Sequence, residues 1–244
     1  MKSVLVTGAN GFIGKNLCSL LEQKGYTVYK SLRDTTRESL VTSIQNSDLV
    51  VHLAGEVRPN ASEAAHSQSN ALFTQELVEL IKEHNPIPII ASSTIHAGSS
   101  DNKYGNSKKQ AEEIIEAYSA QLNKQCYVLK LPHIFGPLCK PNYNSVITTW
   151  IVNALSGKEL TLYDEAREVE MTYLYVLDLC ENILEQIEQE QVVALPASYK
   201  ITLFELKELI LSLVKDSETL DQNDSFQAKL FDTITSYRTG GHFA

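Results

Sequence analysis

The sequence has only four cysteines, and none of them shows the short paired spacing that a zinc site or a redox dithiol requires. Cys18, Cys126, Cys139 and Cys180 are scattered widely along the 244 residues. We therefore expect reduced thiols in a cytoplasmic protein, and no bound metal.

Long apolar runs and clusters of basic residues are also missing. No apolar stretch approaches the roughly 20 residues that a membrane-spanning helix needs, and the N-terminus lacks the layout of a signal peptide. The formal net charge is -9, with no cluster of Lys or Arg, which argues against a nucleic-acid surface. We expect a protein that binds neither membranes nor nucleic acids.

A glycine-rich turn stands near the start of the chain. The apolar run at residues 4–6 reads as a buried strand, and an amphipathic helix follows the turn. Gly8, Gly11 and Gly14 stand at three-residue intervals, a pattern that allows a sharp reversal, close approach to a diphosphate and tight helix packing. The alternative is a glycine turn that merely joins strand to helix. We predict a dinucleotide site that includes Gly8, Asn10, Gly11, Phe12, Ile13 and Gly14.

The next strand, near residues 26–29, leads to the position that selects between NAD and NADP. An acidic residue there would hold the ribose 2′-hydroxyl of NAD. The matching position is nearest Leu32, followed at once by Arg33, whose positive charge suits a 2′-phosphate. We predict NADPH with Arg33 as a cofactor-binding residue, while Asp34 keeps NADH open as the alternative.

Strands and helices continue to alternate after this point, which predicts an α/β fold with a Rossmann-like, doubly wound parallel sheet. One strand ends in Leu53, Ala54 and Gly55, and small residues at a strand end let a cofactor approach the backbone. His52 lies inside that strand, so we interpret it as a packed core residue.

A later strand ends in Ser92-Ser93-Thr94, and Tyr104 and Lys108 follow at the start of a strong amphipathic helix. Positions i and i+4 share one face of a helix. The Lys108 charge is therefore expected to lower the pKa of Tyr104 toward neutrality. We predict Tyr104 and Lys108 as catalytic residues that also touch the cofactor, with a hydroxyl from Thr94 or Ser93 bonding the substrate carbonyl.

The spacing of that pair proves little without its context. Tyr26 and Lys30 show the same Tyr-x-x-x-Lys spacing, but they fall on a predicted strand, where they would be about 13 Å apart. Only the pair that follows the Ser/Thr strand end has the right setting.

These motifs carry a resemblance. TGANGFIG, VHLAG, the SST strand end and YGNSK, in this order, resemble the extended short-chain dehydrogenase/reductase family of NAD(P)-dependent nucleotide-sugar enzymes. VHLAGEVRP and CKPNYNSVI are further similar to the N-terminal reductase domain of the CapF family of capsular-polysaccharide enzymes. The resemblance covers nearly the whole chain.

The resemblance implies a cytoplasmic, NADPH-dependent reduction of the C4 ketone of a UDP-2-acetamido-2,6-dideoxy-hexos-4-ulose, in the pathway to UDP-N-acetyl-L-fucosamine. It implies catalytic roles for Thr94, Tyr104 and Lys108, with Ser93 left as a substrate contact, because the family's hydroxyl is usually the third position of such a strand end. The family often forms homodimers, and the oligomeric state of this chain stays open. In that family a C-terminal cupin domain binds zinc and epimerises the sugar; this chain stops near the point where the cupin would begin, so we expect no epimerisation by such a domain. We interpret residues 1–244 as one reductase domain, with a nucleotide-binding core at about 1–135 and a small, partly interleaved substrate-binding portion at about 136–244.

Polar residues in that second portion are candidates for the UDP-sugar contact. Asn144 or Ser145 can cap the helix that begins at residue 146, and the functional alternative is a diphosphate or sugar site at the same place. His133 stands where the family commonly has Asn. The family's loop at Pro132 passes the nicotinamide. The predicted substrate-binding residues are Ser93, His133, Lys140, Asn142, Asn144 and Ser145, and Pro132 joins the cofactor-binding set.

Two other functions stay open. A nucleotide-sugar 4-epimerase would retain its NAD cofactor. A dehydratase would need an Asp-Glu pair beside Thr94, where this chain has Ile95 and His96. A non-catalytic NADP-binding sensor or scaffold is the alternative from a different class, and the presence of both Tyr104 and Lys108 argues against it.

Overall fold

The computed structural model describes residues 2–58, 62–98, 103–122, 125–143, 145–216, 219–221 and 223–240. The chain divides into two compact units: the first comprises Met1–Leu131 and Cys180–Leu195, and the second comprises Pro132–Leu179 and Pro196–Ala244. Neither unit is a continuous stretch of chain. The interpretation of residues 1–244 as a single domain stays a prediction.

The first unit contains a five-stranded parallel sheet with the order β2-β1-β3-β4-β5. This confirms the predicted α/β fold with a Rossmann-like parallel sheet. The strands are β1 (Ser3–Thr7), β2 (Thr27–Ser31), β3 (Leu49–His52), β4 (Ile89–Thr94) and β5 (Tyr127–Leu131).

Helices connect these strands. They are α1 (Phe12–Gln23), α2 (Arg37–Gln45), α3 (Glu63–His66), a π-helical segment (Ser67–Leu72), α4 (Phe73–His84) and α5 (Lys103–Leu122). Residues 32–48, all of which the structure describes, contain α2 and no strand, so β2 lies at the edge of the sheet. This agrees with the short connection seen in the sequence.

Apolar burial explains why these elements form. Val4, Leu5 and Val6 in β1 are fully buried, as expected for a strand in a parallel sheet covered on both faces. Leu77 and Ile81 on α4 pack in the same apolar cluster as Leu5. The cluster fixes the sheet, and the sheet brings the carboxyl ends of its strands to one edge.

The second unit is built on a three-stranded sheet with the order β6-β7-β8. Its strands are β6 (His133–Phe135), β7 (Glu170–Tyr175) and β8 (Tyr199–Thr202), and its helices include α6 (Val146–Leu155), a short 3-10 turn (Asp164–Ala166), α8 (Leu203–Lys215) and α9 (Ser225–Arg238). Helix α7 (Val176–Gln189) begins in this unit and continues in the first. Trp150 is buried in the core of this unit.

One sequence prediction is wrong here. The resemblance implies a loop at residues 132–137, but His133–Phe135 forms β6 and pairs in parallel with β7. The partner strand lies about forty residues later in the chain, and a pairing over that distance leaves no local periodicity to detect.

Candidate functional site

In the glycine turn between β1 and α1, the backbone packs closely against itself and against the backbone after β3. Gly8 has a φ of 68°, and a Cβ atom there would lie 2.8 Å from the Ala54 nitrogen. A Cβ atom at Gly14 would lie only 2.2 Å from the Gly8 oxygen. Gly11 is the N-cap of α1, and no side chain accepts a hydrogen bond from its first turn. The turn therefore presents uncapped N–H groups, which suit a diphosphate.

Other predicted cofactor residues surround this turn. Asn10 is exposed, while Phe12 and Ile13 are half-buried at the start of α1. Leu53 and Ala54 follow β3, and the Leu53 backbone N–H donates to the Thr7 carbonyl at 3.2 Å. The turn and the end of β3 are thus adjacent in the structure.

A buried hydrogen-bond chain supports the strand ends. His52 Nδ1 and Thr7 Oγ1 are 2.7 Å apart, and His52 Nε2 and Thr74 Oγ1 are 2.9 Å apart. The backbone N–H of Ala54 also donates to Thr7 Oγ1 at 3.2 Å. Burial lowers the pKa of His52 to about 3, so the ring is neutral near pH 7. His52 is a packed core residue, as predicted.

Arg33 lies beyond the end of β2 and is largely exposed, with one guanidinium nitrogen 3.8 Å from Glu56 Oε2. Glu56 itself is buried and accepts hydrogen bonds from the Arg58 side chain at 2.9 and 2.6 Å. The Arg58 guanidinium lowers the pKa of Glu56 to about 2. The sequence analysis missed Glu56 and Arg58, because nothing local marks an acidic residue after a strand as buried.

Asn70 links the loop after β3 to α5. Its amide oxygen accepts from the Glu56 backbone N–H at 2.8 Å, and its amide nitrogen donates to the Glu56 carbonyl at 3.2 Å and to Ser107 Oγ at 2.9 Å. A Cβ atom at Gly55 would lie 2.6 Å from this amide oxygen and 4.0 Å from Lys108 Nζ. Asn70 lies in the π-helical segment, and such segments are frequent at functional sites.

Asn70 had a detectable signal in the sequence. Asn70, Thr74 and Leu77 follow one another at helical spacing, so two polar residues continue the apolar stripe of α4. Polar residues on a buried face indicate a hydrogen-bond network, which the structure contains.

The predicted catalytic residues all lie in the first unit. Thr94 is the last residue of β4 and is buried, and its Oγ1 accepts from the His96 backbone N–H at 3.2 Å. Tyr104 and Lys108 lie in the first two turns of α5, on one face. The Tyr104 ring packs 5.7 Å from that of His66, and Lys108 is buried.

The charge states differ from the expectation. Burial raises the pKa of Tyr104 to about 12, so the expected shift toward neutrality is wrong for these side chains. Burial lowers the pKa of Lys108 to about 8, and the Glu112 carboxylate opposes that shift. Tyr104 is a phenol near pH 7, which is the form that can give a proton to an oxygen.

Ser93 directs its hydroxyl to a group that the sequence analysis did not single out. Its Oγ donates to Glu112 Oε1 at 2.5 Å, and both side chains are buried. Successive side chains of a strand point to opposite faces, so Ser93 and Thr94 cannot both serve the same substrate atom. Its assignment to the substrate stays a prediction.

The other predicted substrate residues belong to the second unit. The His133 ring packs 5.9 Å from the Tyr173 ring, and Lys140 Nζ lies 5.8 Å from the centre of the Tyr143 ring. Ser145 caps α6 by accepting from the Thr148 backbone N–H at 3.3 Å, which confirms the predicted cap.

Three further positions complete this set. Asn142 has a positive φ of 54°, and its backbone N–H donates to Thr149 Oγ1 at 2.9 Å. Pro132 precedes β6 directly. Asn144 lies outside the described residues.

A cavity of about 300 Å³ lies elsewhere in the first unit, at the N-terminal ends of its strands. Its lining includes Ser3 of β1, Leu49 of β3 and Pro88 just before β4. Open parallel sheets bind their ligands at the carboxyl ends of the strands. This cavity is therefore not the candidate site.

The described residues show neither a metal-binding cluster nor a membrane-spanning helix. They contain no group of three or more His, Cys, Asp or Glu side chains placed to hold a metal ion. In the same part of the chain, no helix combines the length and the apolar character needed to cross a membrane.

Comparisons with known proteins agree with the geometry. The family model described as NAD dependent epimerase/dehydratase family matches residues 4–201. A UDP-2-acetamido-2,6-beta-L-arabino-hexul-4-ose reductase from Pseudomonas aeruginosa is 35% identical over 173 residues, which cover 70% of this chain and 46% of that protein. The chain thus spans about half the length of that relative.

Solved structures show the same fold. The capsular polysaccharide assembling protein CapF from Staphylococcus aureus has a TM-score of 0.84 and 29% identity, covering 96% of this chain and 65% of that one. A UDP-N-acetylglucosamine 4-epimerase from Bacillus cereus has a TM-score of 0.81 and 23% identity, covering 98% of this chain and 97% of that one. The second likeness concerns the fold alone.

Proposed function

Because this chain belongs to the NAD dependent epimerase/dehydratase family, we propose that it reduces the C4 ketone of a UDP-2-acetamido-2,6-dideoxy-hexos-4-ulose with NADPH. The observation that carries the proposal is the pair Tyr104 and Lys108, one turn apart at the start of α5 and joined to the loop after β3 through Asn70 and Ser107. The 35% identity to a UDP-sugar reductase supports the substrate class. The reaction would belong to the synthesis of a surface-polysaccharide precursor.

The glycine turn fits a dinucleotide. The uncapped start of α1 would hold the diphosphate, and the close approach of Gly8 to Ala54 leaves no room for a side chain between the turn and the end of β3. Gly55 is similarly tight, because a Cβ atom there would lie 2.6 Å from the Asn70 amide oxygen, so the backbone beside Lys108 carries no side chain. When bound, the reduced nicotinamide supplies the hydride that C4 accepts.

The chain's own residues would handle the oxygen and the proton. The Thr94 hydroxyl accepts from a backbone N–H and keeps its own hydrogen to donate to the sugar ketone. Tyr104 gives its phenolic proton to the oxygen as the charge develops there. A charged Lys108 one turn away would stabilise the phenolate that remains.

Arg33 supports NADPH over NADH. It follows the strand whose end selects between the two cofactors, and its largely exposed guanidinium, 3.8 Å from Glu56, would be available to a 2′-phosphate. Arg33→Ala is expected to weaken NADPH binding about tenfold or more while leaving NADH binding unchanged, because only NADPH carries the phosphate. Cofactor fluorescence titrations would measure both.

In the second unit, Lys140 would supply charge for the UDP diphosphate, and His133, Asn142, Asn144 and Ser145 would supply polar contacts. The positive charge of Lys140 and the start of α6 both suit an anion. Ser145 has a structural duty there as well, since it caps the helix.

The test is NADPH oxidation, followed by absorbance, with the 4-keto sugar made freshly by a UDP-N-acetylglucosamine 4,6-dehydratase. One sample also receives a cupin epimerase, since the reduction can require the C3-epimerised sugar. Tyr104→Phe is expected to lower the rate by about 10²–10⁴-fold, the usual contribution of a general acid. NADPH binding by that variant should stay unchanged.

Tyr26→Phe is the matched control. Tyr26 and Lys30 repeat the catalytic spacing, but Lys30 lies in the edge strand β2 and is ion-paired with Glu22 at 2.7 Å. This variant should keep the full rate. Tight NADPH binding without turnover in any sample would contradict the proposed substrate, and conversion of a UDP-sugar without net NADPH oxidation would favour a 4-epimerase.

A further inference from the structure

The catalytic face of α5 carries a third polar residue. Tyr104, Lys108 and Glu112 are spaced by four residues, so they lie in one row along the helix. Glu112 is only 1% exposed and Lys108 only 6%. A carboxylate one turn from a buried ammonium favours the charged form of the lysine.

Glu112 also joins two elements of the site. One of its oxygens accepts the hydrogen bond from Ser93 at 2.5 Å. Ser93 directly precedes Thr94 at the end of β4, and Glu112 stands one turn beyond Lys108 on α5. This single contact therefore ties the strand that carries the Thr94 hydroxyl to the helix that carries the Tyr104 phenol.

The second carboxylate oxygen is not used in a hydrogen bond. Glu112 Oε2 has no hydrogen-bond partner among the residues that the structure describes. The half-exposed ammonium groups of Lys109 and Lys130 lie 3.5 and 3.7 Å from it. These two ammonium groups offset part of the cost of burying the carboxylate, and the Oε2 atom itself makes ion-pair contacts without a hydrogen bond.

The groups that face Lys108 come from three elements. His52 on β3 is neutral near pH 7 because its pKa is about 3, and Tyr104 on α5 is neutral because its pKa is about 12. Gly55, after β3, brings no side chain. Among the described residues that act on Lys108, the opposite charge comes from Glu112.

We propose that Glu112 is a positioning residue whose buried carboxylate keeps Lys108 charged and, through Ser93, holds the end of β4 against α5. The role in turnover rests on the proposed function, whereas the effect on the Lys108 charge does not. With Glu112 present, burial still brings the pKa of Lys108 down to about 8, close to working pH, and the Glu112 carboxylate acts against a larger fall.

Two variants separate the effect of Glu112 on the Lys108 charge from its contact with the end of β4. Glu112→Gln keeps an oxygen that can accept from Ser93 but removes the charge. Ser93→Ala keeps the charge but removes the hydrogen bond. Glu113→Gln is the matched control, because Glu113 is the neighbouring glutamate on the exposed side of α5.

The first readout needs no substrate. In protein labelled with ¹³Cε-lysine, the Lys108 signal is assigned by its loss in Lys108→Arg and is titrated with pH by NMR. We expect a midpoint near pH 8 in the natural protein. In Glu112→Gln the midpoint should fall by about one pH unit, the lower end of the effect of a close opposite charge. Ser93→Ala and Glu113→Gln should leave it unchanged.

The second readout is turnover. In Glu112→Gln the alkaline limb of the kcat profile should move down by about one pH unit, following Lys108, while the KM for NADPH stays constant. Ser93→Ala should lower kcat at every pH without moving the limb. Glu112→Asp, which restores the charge on a shorter side chain, should return the limb toward its natural position and covers the case in which Glu112→Gln does not fold.

An unchanged Lys108 midpoint in Glu112→Gln would overturn the proposal, as would an equal shift in Glu113→Gln. If the natural protein does not reduce the sugar, the proposed function fails, while the lysine titration still decides whether Glu112 sets the Lys108 charge.

Discussion

The interiors of the two units of this chain contain different kinds of contact. The interior of the first unit contains buried polar side chains in hydrogen-bond chains, such as Thr7 with His52 and Ser93 with Glu112. The core of the second unit is rich in aromatic rings, with Phe135 packed 5.3 Å from Tyr175.

This difference suggests that the polar groups of the first unit serve the predicted site, whereas the aromatic core of the second unit stabilises the fold. Buried polar groups cost free energy unless they are paired, and those of the first unit cluster at the strand ends where the cofactor and catalytic residues are predicted. Aromatic rings contribute area and packing without such a cost. Substitutions in the aromatic core of the second unit should therefore act on stability, whereas those at the strand ends of the first unit should also alter cofactor binding and pH dependence.

Phe135→Ala should have the largest effect on stability. Phe135 is fully buried and contacts three other rings, so its removal should cost about 3–5 kcal/mol. Trp150, the only tryptophan, lies in the same cluster, so its fluorescence during urea unfolding reports on this unit. Phe204→Ala is the control, since Phe204 is only partly buried. Equal losses in the two variants would contradict the assignment of Phe135 to the centre of the core.

Gly14→Ala tests the close packing of the first unit. Alanine normally favours a helix over glycine by about 1 kcal/mol, but a Cβ atom here would lie 2.2 Å from the Gly8 oxygen. We expect a loss of about 1–3 kcal/mol by urea unfolding and weaker NADPH binding by fluorescence. Gly25→Ala is the control: its φ is 83° with no atom within 4 Å of the added carbon, so it should keep full NADPH binding. A stabilised Gly14→Ala protein would show that the turn is not tightly packed.

His52 should make the first unit sensitive to acid. Its pKa is about 3 when folded against an ordinary 6.5, so between these values the unfolded chain binds a proton that the folded chain does not. The stability contribution is complete above pH 6.5 and is lost as the pH falls, by about 1.4 kcal/mol per unit.

The measurement is urea unfolding at a series of pH values below 6.5. His52→Asn should be less stable near pH 7, because its bonds to Thr7 and Thr74 change, but it should show a shallower fall with acid. His84→Gln serves as the control. A slope as steep in His52→Asn as in the natural protein would assign the acid sensitivity to other groups.

Ser145→Ala should have the smallest effect and bears on the second unit. Loss of the α6 cap should cost about 1 kcal/mol. Ser145→Asn, which can still cap, should restore stability. If the KM for the UDP-sugar rises in Ser145→Asn despite restored stability, Ser145 also contacts the substrate; an unchanged KM would leave it as a cap alone.

Local patterns predicted most of the first unit. The buried strand at residues 4–6, the glycine turn and the helix after Tyr104 each follow from spacing within a few residues. The helix predicted to begin at residue 146 does begin there as α6, because a polar cap residue marks its start. Helix α9 and strand β6 were not predicted.

By itself, the sequence determined the parallel sheet, the glycine turn and the position of Tyr104 and Lys108 on one helix face. Each of these depends on residue types and spacings within a short stretch of chain. Only the tertiary structure decided that Glu112 is buried beside Lys108, that Ser93 bonds to it, and that burial raises the pKa of Tyr104. These properties depend on which distant segments exclude water from a side chain, and local spacing does not encode that exclusion.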